Sequence, residues 1–286
     1  MEVGRRFATL DVGCSTLNVR GFFILVLLAL APILIAAPPA GYHLAWSDEF
    51  NGAALDTNKW DYWLAGRRRD AVNTPAAVSF NGSNLVITTY TSNQVHYSAF
   101  IATDRKFQPR YGYWEARLKW SDTNGIWSAF WMQSPTMGAN HDDPQASGSE
   151  IDIAEHRYVD GASNNIANQV QVNIHWNGYG AGAKSCGSGN VGNGLATGFH
   201  TYGFLWRTNS YEFQIDGAPV YHGGAAPVSQ SPEWVILGSE VDDTSTTWAG
   251  FIPAGGYGNP GASAAKLTVD YIRYYAPDGA TKLQRE

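Results

Sequence analysis

Short runs of β-branched and aromatic residues recur along this chain with a period of two, and turn-forming residues separate them. SNLVITTY (83–90), YGYWEARLKW (111–120), QVQVNIHW (169–176), YEFQIDG (211–217), PEWVILGSEV (232–241) and KLTVDYIRYY (266–275) are the clearest. A period of two sends successive side chains to opposite faces, so each run can pack one side on a core. Convincing amphipathic helical spacing is missing. Many short strands joined by Gly, Asn, Pro and Ser predict an all-β chain built as a sandwich or barrel. Asp216-Gly217 supplies a hairpin tip after the strand at 211–215, and NGSN at 81–84 is a second turn, feeding a strand over 85–90.

Composition agrees with a turn-rich β protein. The 286 residues include 31 Gly, 11 Trp and 15 Tyr, and only 15% are charged. A formal charge of -6 leaves no basic face for nucleic acid, so no nucleic-acid partner is expected. At the N-terminus Arg5, Arg6 and Arg20 precede an apolar run, GFFILVLLALAPILIAA (21–37), which Pro32 interrupts and small residues end. It is short for a membrane span and reads as a cleaved secretory signal over 1–40, giving a secreted or periplasmic protein without stable membrane association. An uncleaved anchor is the alternative. Cys14 would leave with the signal. Cys186, in GAGAKSCGSGN, would then be the one remaining thiol, placed in a loop. No internal disulfide or cysteine metal site can form, and stability has to come from burial.

GSEIDIAEH (148–156) places Glu150, Asp152 and Glu155 within six positions. On a helix they would point in three directions. On a strand Glu150 and Asp152 share a face, and Ile151 and Ile153 fill the other. Plain alternation would then bury Glu155 in the apolar layer, at high cost. One inserted residue at Ile153–Ala154, a β-bulge, returns Glu155 to the acid face. The stretch therefore predicts a bulged strand with three carboxylates on one face. Such a cluster suits glycoside hydrolysis, in which one carboxylate attacks the anomeric carbon while a protonated carboxyl serves the leaving oxygen. Neighbouring carboxylates raise one another's pKa, so both forms can coexist. With 25 acids in 286 residues such a spacing also arises by chance, so context has to support it.

That context is a resemblance. GSEIDIAEH resembles the E-x-D-x-x-E signature of glycoside hydrolase family 16, in its bulged form. WSDEFNG (46–52), LDTNKW (55–60), GIWSAFWMQSP (125–135), FHTYGFLWRTNSYEFQIDG (199–217) and LTVDYIRYY (267–275) are similar to other segments of that family in the same order. The resemblance covers nearly the whole of 41–286, a catalytic β-sandwich domain of roughly 245 residues. It implies a jelly-roll sandwich of two antiparallel sheets with a concave-face cleft. It implies Glu150 as nucleophile, Asp152 as its assistant and Glu155 as general acid/base. It also implies a sugar-binding Trp131. Trp127, four residues earlier on the same face, can join it, since indole rings stack on pyranose rings. His175 and Trp176 resemble the His-Trp element of laminarinase-like members and are expected at substrate. Arg69, in the basic run GRRRDAVN, is expected near an outer subsite, and Glu240 is a further cleft acid. No cofactor is required for catalysis. A structural calcium is implied on the convex side, with Glu49 and Asp270 where oxygen ligands would stand.

Ser128 replaces the family's usual proline, and WVILGSEVDDTSTTW (234–248) departs from the family's pattern, which leaves the polysaccharide open. The expected function is that of a monomeric, secreted, retaining endo-hydrolase of a β-1,3- or β-1,3-1,4-glucan. The alternatives are a galactan hydrolase of agar or carrageenan type, a transglycosylase sharing the covalent intermediate, and a lectin-like carbohydrate-binding module without turnover.

Overall fold

The structure is a computed structural model that describes residues 38–244 and 246–279. The expected signal over 1–40 therefore falls, up to residue 37, outside the described residues. Among the described residues no helix is long and apolar enough to cross a membrane.

Two large antiparallel sheets form the body of the sandwich. The first has seven strands, in the order Lys184–Val191, Val170–Trp176, Glu150–Arg157, Ile126–Gln133, Trp234–Val241, Phe100–Ala102 and Asp61–Trp63. The second has eight, with Gly112–Lys119 and Lys266–Pro277 paired at its centre and Tyr42–Asp48 also on Lys266–Pro277. The expected jelly-roll sandwich is present. The described residues hold a single α-helix, Pro144–Ser147, of one turn. The Asp216-Gly217 hairpin forms as predicted, with φ of 49° and 77° at its two turn residues, the left-handed geometry that an Asp-Gly pair accommodates.

Period-two runs produce this arrangement because each sheet has one face to bury. Ile151, Ile174 and Leu237 of the seven-stranded sheet meet Trp114, Phe204 and Leu267 of the other in one continuous core. Each side chain so buried contributes about 1.5–3 kcal/mol. Among the described residues the one free cysteine is Cys186, so burial supplies what disulfides do not. Cys186 corrects an expectation: it lies in the edge strand Lys184–Val191 rather than in a loop, its Sγ bonded to the Gly223 carbonyl at 3.3 Å. Glycine and serine conceal that strand in the sequence.

A third, four-stranded sheet was not anticipated. Gly66–Arg68, Ala71–Asn73, Val95–Ser98 and Tyr90–Ser92 form it, with one parallel pair. It takes up the basic run and pins Arg68 and Arg69 against the seven-stranded sheet.

Candidate active site

The strand Glu150–Arg157 carries the predicted bulge. On the side of Ile126–Gln133, Phe130 faces Ala154 and Trp131 faces Asp152, so Ile153 is the extra residue. On the side of Val170–Trp176, Asn173 faces Asp152 and Gln171 faces Glu155, so two residues oppose Val172. Ile153 and Ala154 both join the inter-sheet core. Glu150, Asp152 and Glu155 then emerge from the opposite face, and the conflict between alternation and carboxylate burial is resolved as the sequence requires. His156 returns to the core, stacked on Trp120 at 5.4 Å with its ring nitrogen 2.9 Å from the Ala167 carbonyl. Burial drives its pKa down to about 4, so it is neutral and takes no part in the acid face.

Neighbouring strands supply partners to each acid. The Tyr179 hydroxyl donates to Glu150 Oε2, and Gln133 Nε2 donates to that hydroxyl at 2.5 Å. His175 Nε2 lies 3.2 Å from Asp152 Oδ2. Asn173 Nδ2 donates to Glu155 Oε2 at 2.6 Å. All three carboxyls are raised above the ordinary carboxylate range, for different reasons. Burial raises Glu150, while the Tyr179 hydroxyl, His175 and Arg68 pull it back. Burial and the adjacent Glu150 charge hold Asp152 well above its usual value. Burial and Asp152 do the same for Glu155, and the Asn173 donor, despite its short bond, offsets them only in part. Glu150 has the most cationic and donor help, so it ionises first; Asp152 and Glu155 keep their protons longer. Environments that push paired acids apart in this way assign one as base or nucleophile and the other as acid.

The floor beside the acids is aromatic. Trp127 and Trp131 share the acid face, as period two predicts. Trp131 is 8% exposed and packs edge-on against Trp63 at 5.5 Å, within a cluster that includes Trp234 and Phe100. Trp127 meets Trp248 edge-on at 5.0 Å and carries the Arg69 guanidinium 4.9 Å from its ring centre. Between these rings Gly238 has no side chain for a reason: a Cβ there would come within 2.1 Å of the Phe100 ring.

The structure gives the other expected residues partners of their own. Trp176 is 9% exposed and belongs to the inter-sheet core, because on a strand it must face away from His175. Glu240 and Arg69, expected separately near substrate, are tied to each other. Glu240, 3% exposed, accepts from Arg68 Nε at 2.8 Å and Arg69 Nε at 2.6 Å, and Arg69 Nη1 reaches Asp242 at 2.5 Å. The residues are bound to one another. Glu49 and Asp270 do not fit a calcium site: Arg273 clamps Glu49 at 2.9 and 2.7 Å, and Arg117 holds Asp270 at 2.5 Å. Each carboxylate already has its own arginine counter-charge, which a hard cation would have to displace. Among the described residues the donor atoms of Glu150, Asp152 and His175 do fall within 4.8 Å of one another. A hydroxyl proton already points at Glu150 and His175 is turned to Asp152, so the group reads as acid–base machinery. Sequence reasoning also missed Asn173, Gln133 and Tyr179. Asn173, two residues before His175, was within reach of alternation; Tyr179 stands in a loop and had no periodic signal.

Known proteins resemble this chain in sequence and in fold. The family profile described as "Beta-porphyranase A-D, GH16 domain" matches residues 43–277. The endo-1,3-1,4-beta-glycanase ExsH of Rhizobium meliloti is 26% identical over 245 residues, 82% of this chain and 46% of that protein. The keratan-sulfate endo-1,4-beta-galactosidase of Sphingobacterium multivorum is 27% identical over 258 residues, 82% of this chain and 55% of that protein. The chain thus spans about half the length of these two relatives. Among solved structures, the laminarinase from Rhodothermus marinus superposes with a TM-score of 0.64 at 26% identity, covering 82% of this chain and 98% of that one. With a family match over most of its length and the family's sandwich around the acid strand, the chain belongs to glycoside hydrolase family 16.

Proposed function

We propose that the protein is a secreted, retaining endo-hydrolase of a β-linked polysaccharide, with a β-1,3- or β-1,3-1,4-glucan as substrate. One observation carries the reading: a single bulged strand aims Glu150 and Glu155 from the same face, and burial with the neighbouring acids raises the Glu155 carboxyl further above the ordinary range than that of Glu150, which Tyr179, His175 and Arg68 pull back. The Glu150 carboxylate attacks the anomeric carbon, the glycosidic bond breaks, and the departing oxygen takes the proton of Glu155. A covalent glycosyl-enzyme results. Glu155, now a carboxylate steadied by the Asn173 donor, removes a proton from water, which attacks the same carbon and frees Glu150. Two inversions leave the configuration retained. Proton transfer of this kind contributes about 10²–10⁴-fold. Asp152 stands between the two, its carboxyl held well above the ordinary range by burial and the Glu150 charge.

Both the matching porphyranase family profile and the keratan-sulfate galactosidase relative support a second reading, in which the polymer is a β-galactan. A panel of laminarin, lichenan, agarose, porphyran and carrageenan, followed by reducing-sugar release and proton NMR of the first product, separates them. Cleavage of laminarin or lichenan with a β-anomeric first product is expected. Cleavage of galactans alone would move the substrate to the second reading; binding without cleavage of any polymer would leave a lectin-like module. Glu150→Gln is expected to abolish turnover, and Asp152→Asn to be milder.

A further inference from the structure

Tyr179 lies between the strands Val170–Trp176 and Lys184–Val191, in a loop of small residues, NGYGAGA (177–183). It is 68% exposed, yet its hydroxyl is bonded to Glu150. Burial of the ring does not hold such a side chain in place, because little of the ring leaves water. The polar tip does. Two supports fix that tip. Gln133 stands opposite Glu150 in the strand register and donates to the Tyr179 oxygen at 2.5 Å. A phenol has one proton, so with an amide N–H directed at its oxygen the proton goes to the carboxylate. Beneath the loop, Gly178 packs on Gly138 so closely that a Cβ on Gly138 would lie 2.8 Å from the Gly178 backbone. Both glycines have positive φ, +73° and +80°, and the contact docks the Tyr179 loop on the segment before Pro144–Ser147.

We propose that Tyr179, oriented by Gln133, is a positioning residue that holds the Glu150 carboxylate charged and aimed for attack. The proposal rests on Glu150 being the nucleophile of the function proposed above. A hydroxyl donated to a carboxylate favours its charged form and fixes its rotamer. In the first step a Glu150 oxygen forms the bond to the anomeric carbon as the glycosidic C–O bond breaks, the leaving oxygen taking its electron pair and the Glu155 proton. Negative charge leaves Glu150 and the Tyr179 bond weakens. In the second step the charge returns and the bond strengthens, so the same hydroxyl steadies Glu150 as leaving group. The other charged groups around Glu150 divide. His175 and Arg68 favour its anion. The Glu150 charge in turn opposes ionisation of Asp152, Glu155 and the buried Glu233.

The test reads Glu150 directly. In protein labelled with ¹³C at glutamate carboxyls, the Glu150 resonance is identified by its loss in Glu150→Gln and titrated in wild type, Tyr179→Phe and Gln133→Met. Tyr179→Phe keeps the ring and is expected to raise the Glu150 midpoint by about half to one pH unit. Gln133→Met should move it the same way by less. The acid limb of kcat/KM should follow, with kcat down about 10- to 100-fold and KM changed less than threefold. An unmoved midpoint would overturn the proposal. So would a lower kcat with the acid limb in place, or a lower KM at undiminished kcat, which would mean that the ring only covers the cleft. Because the titration needs no substrate, failure of this pairing and failure of the hydrolase reading are seen separately.

Discussion

Replacing Glu233 by glutamine probes a buried acid next to a strand two places from the nucleophile's own in the sheet. Glu233 is fully buried at the foot of the strand Trp234–Val241, and its Oε1 accepts from the Ser149 amide at 3.2 Å, directly before Glu150. Burial pushes its pKa from 4.5 up to about 8, and the Ser149 amide and Ser229 offset this only in part. The folded chain therefore binds this proton more tightly than the unfolded chain. Stability from that proton is complete below about pH 4.5 and is lost as pH rises through 8. At 1.36 kcal/mol per tenfold change in proton affinity, the loss is at most about 5 kcal/mol. Glutamine keeps the carbonyl acceptor for Ser149 and has no proton to lose. Asp152 and Glu155 impose the same sense of pH dependence on both proteins, so their difference isolates Glu233. Urea unfolding of wild type and Glu233→Gln at pH 5 and pH 9 should show the variant gaining on wild type by several kcal/mol at the higher pH. In thermal unfolding each kcal/mol is worth about 2–4 °C for a domain of this size. Parallel stability profiles from pH 5 to 9 would refute the reasoning, since they would mean that Glu233 titrates alike in both states.

Removing the Asn173 donor by Asn173→Ala should raise the Glu155 pKa further, because the lost bond favours the carboxylate; the basic limb of kcat/KM is expected to move up by about half to one unit. Arg69→Met should destabilise the fold by about 2–3 kcal/mol by thermal or urea unfolding, since Glu240 and Asp242 lose a counter-charge; the cost is below that of a fully enclosed pair because Arg69 is 33% exposed. Trp131→Ala should cost about 3 kcal/mol of stability and raise KM together, as expected of a ring that both packs on Trp63 and floors the cleft.

The acid strand was legible because two physical demands collide within it: period two and the cost of burying a lone carboxylate have one common solution, the bulge. The long strands were legible for the same periodic reason. The four-stranded sheet was not, since strands such as Gly66–Arg68 and Ala71–Asn73 are three residues long and too short to display a period. Trp176 was misplaced when the resemblance took it with His175, although neighbours on a strand face opposite ways. Arg69 and Glu240 are 171 positions apart, and nothing local in either stretch announces their pairing. Tyr179 and Gln133 are joined by a hydrogen bond between a loop and a strand 46 positions apart, which sequence periodicity does not encode.

The division of labour between Glu150 and Glu155 is tested most directly by azide rescue. Glu150→Ala and Glu155→Ala are each incubated with azide and an aryl β-glycoside of the oligosaccharide that the enzyme releases, and the anomer of the glycosyl azide is read by NMR. Azide should fill the space left by Glu150 and yield the α-azide, and should attack the intermediate in the Glu155 variant to yield the β-azide. The opposite anomers, or no azide product from either variant, would contradict the assignment.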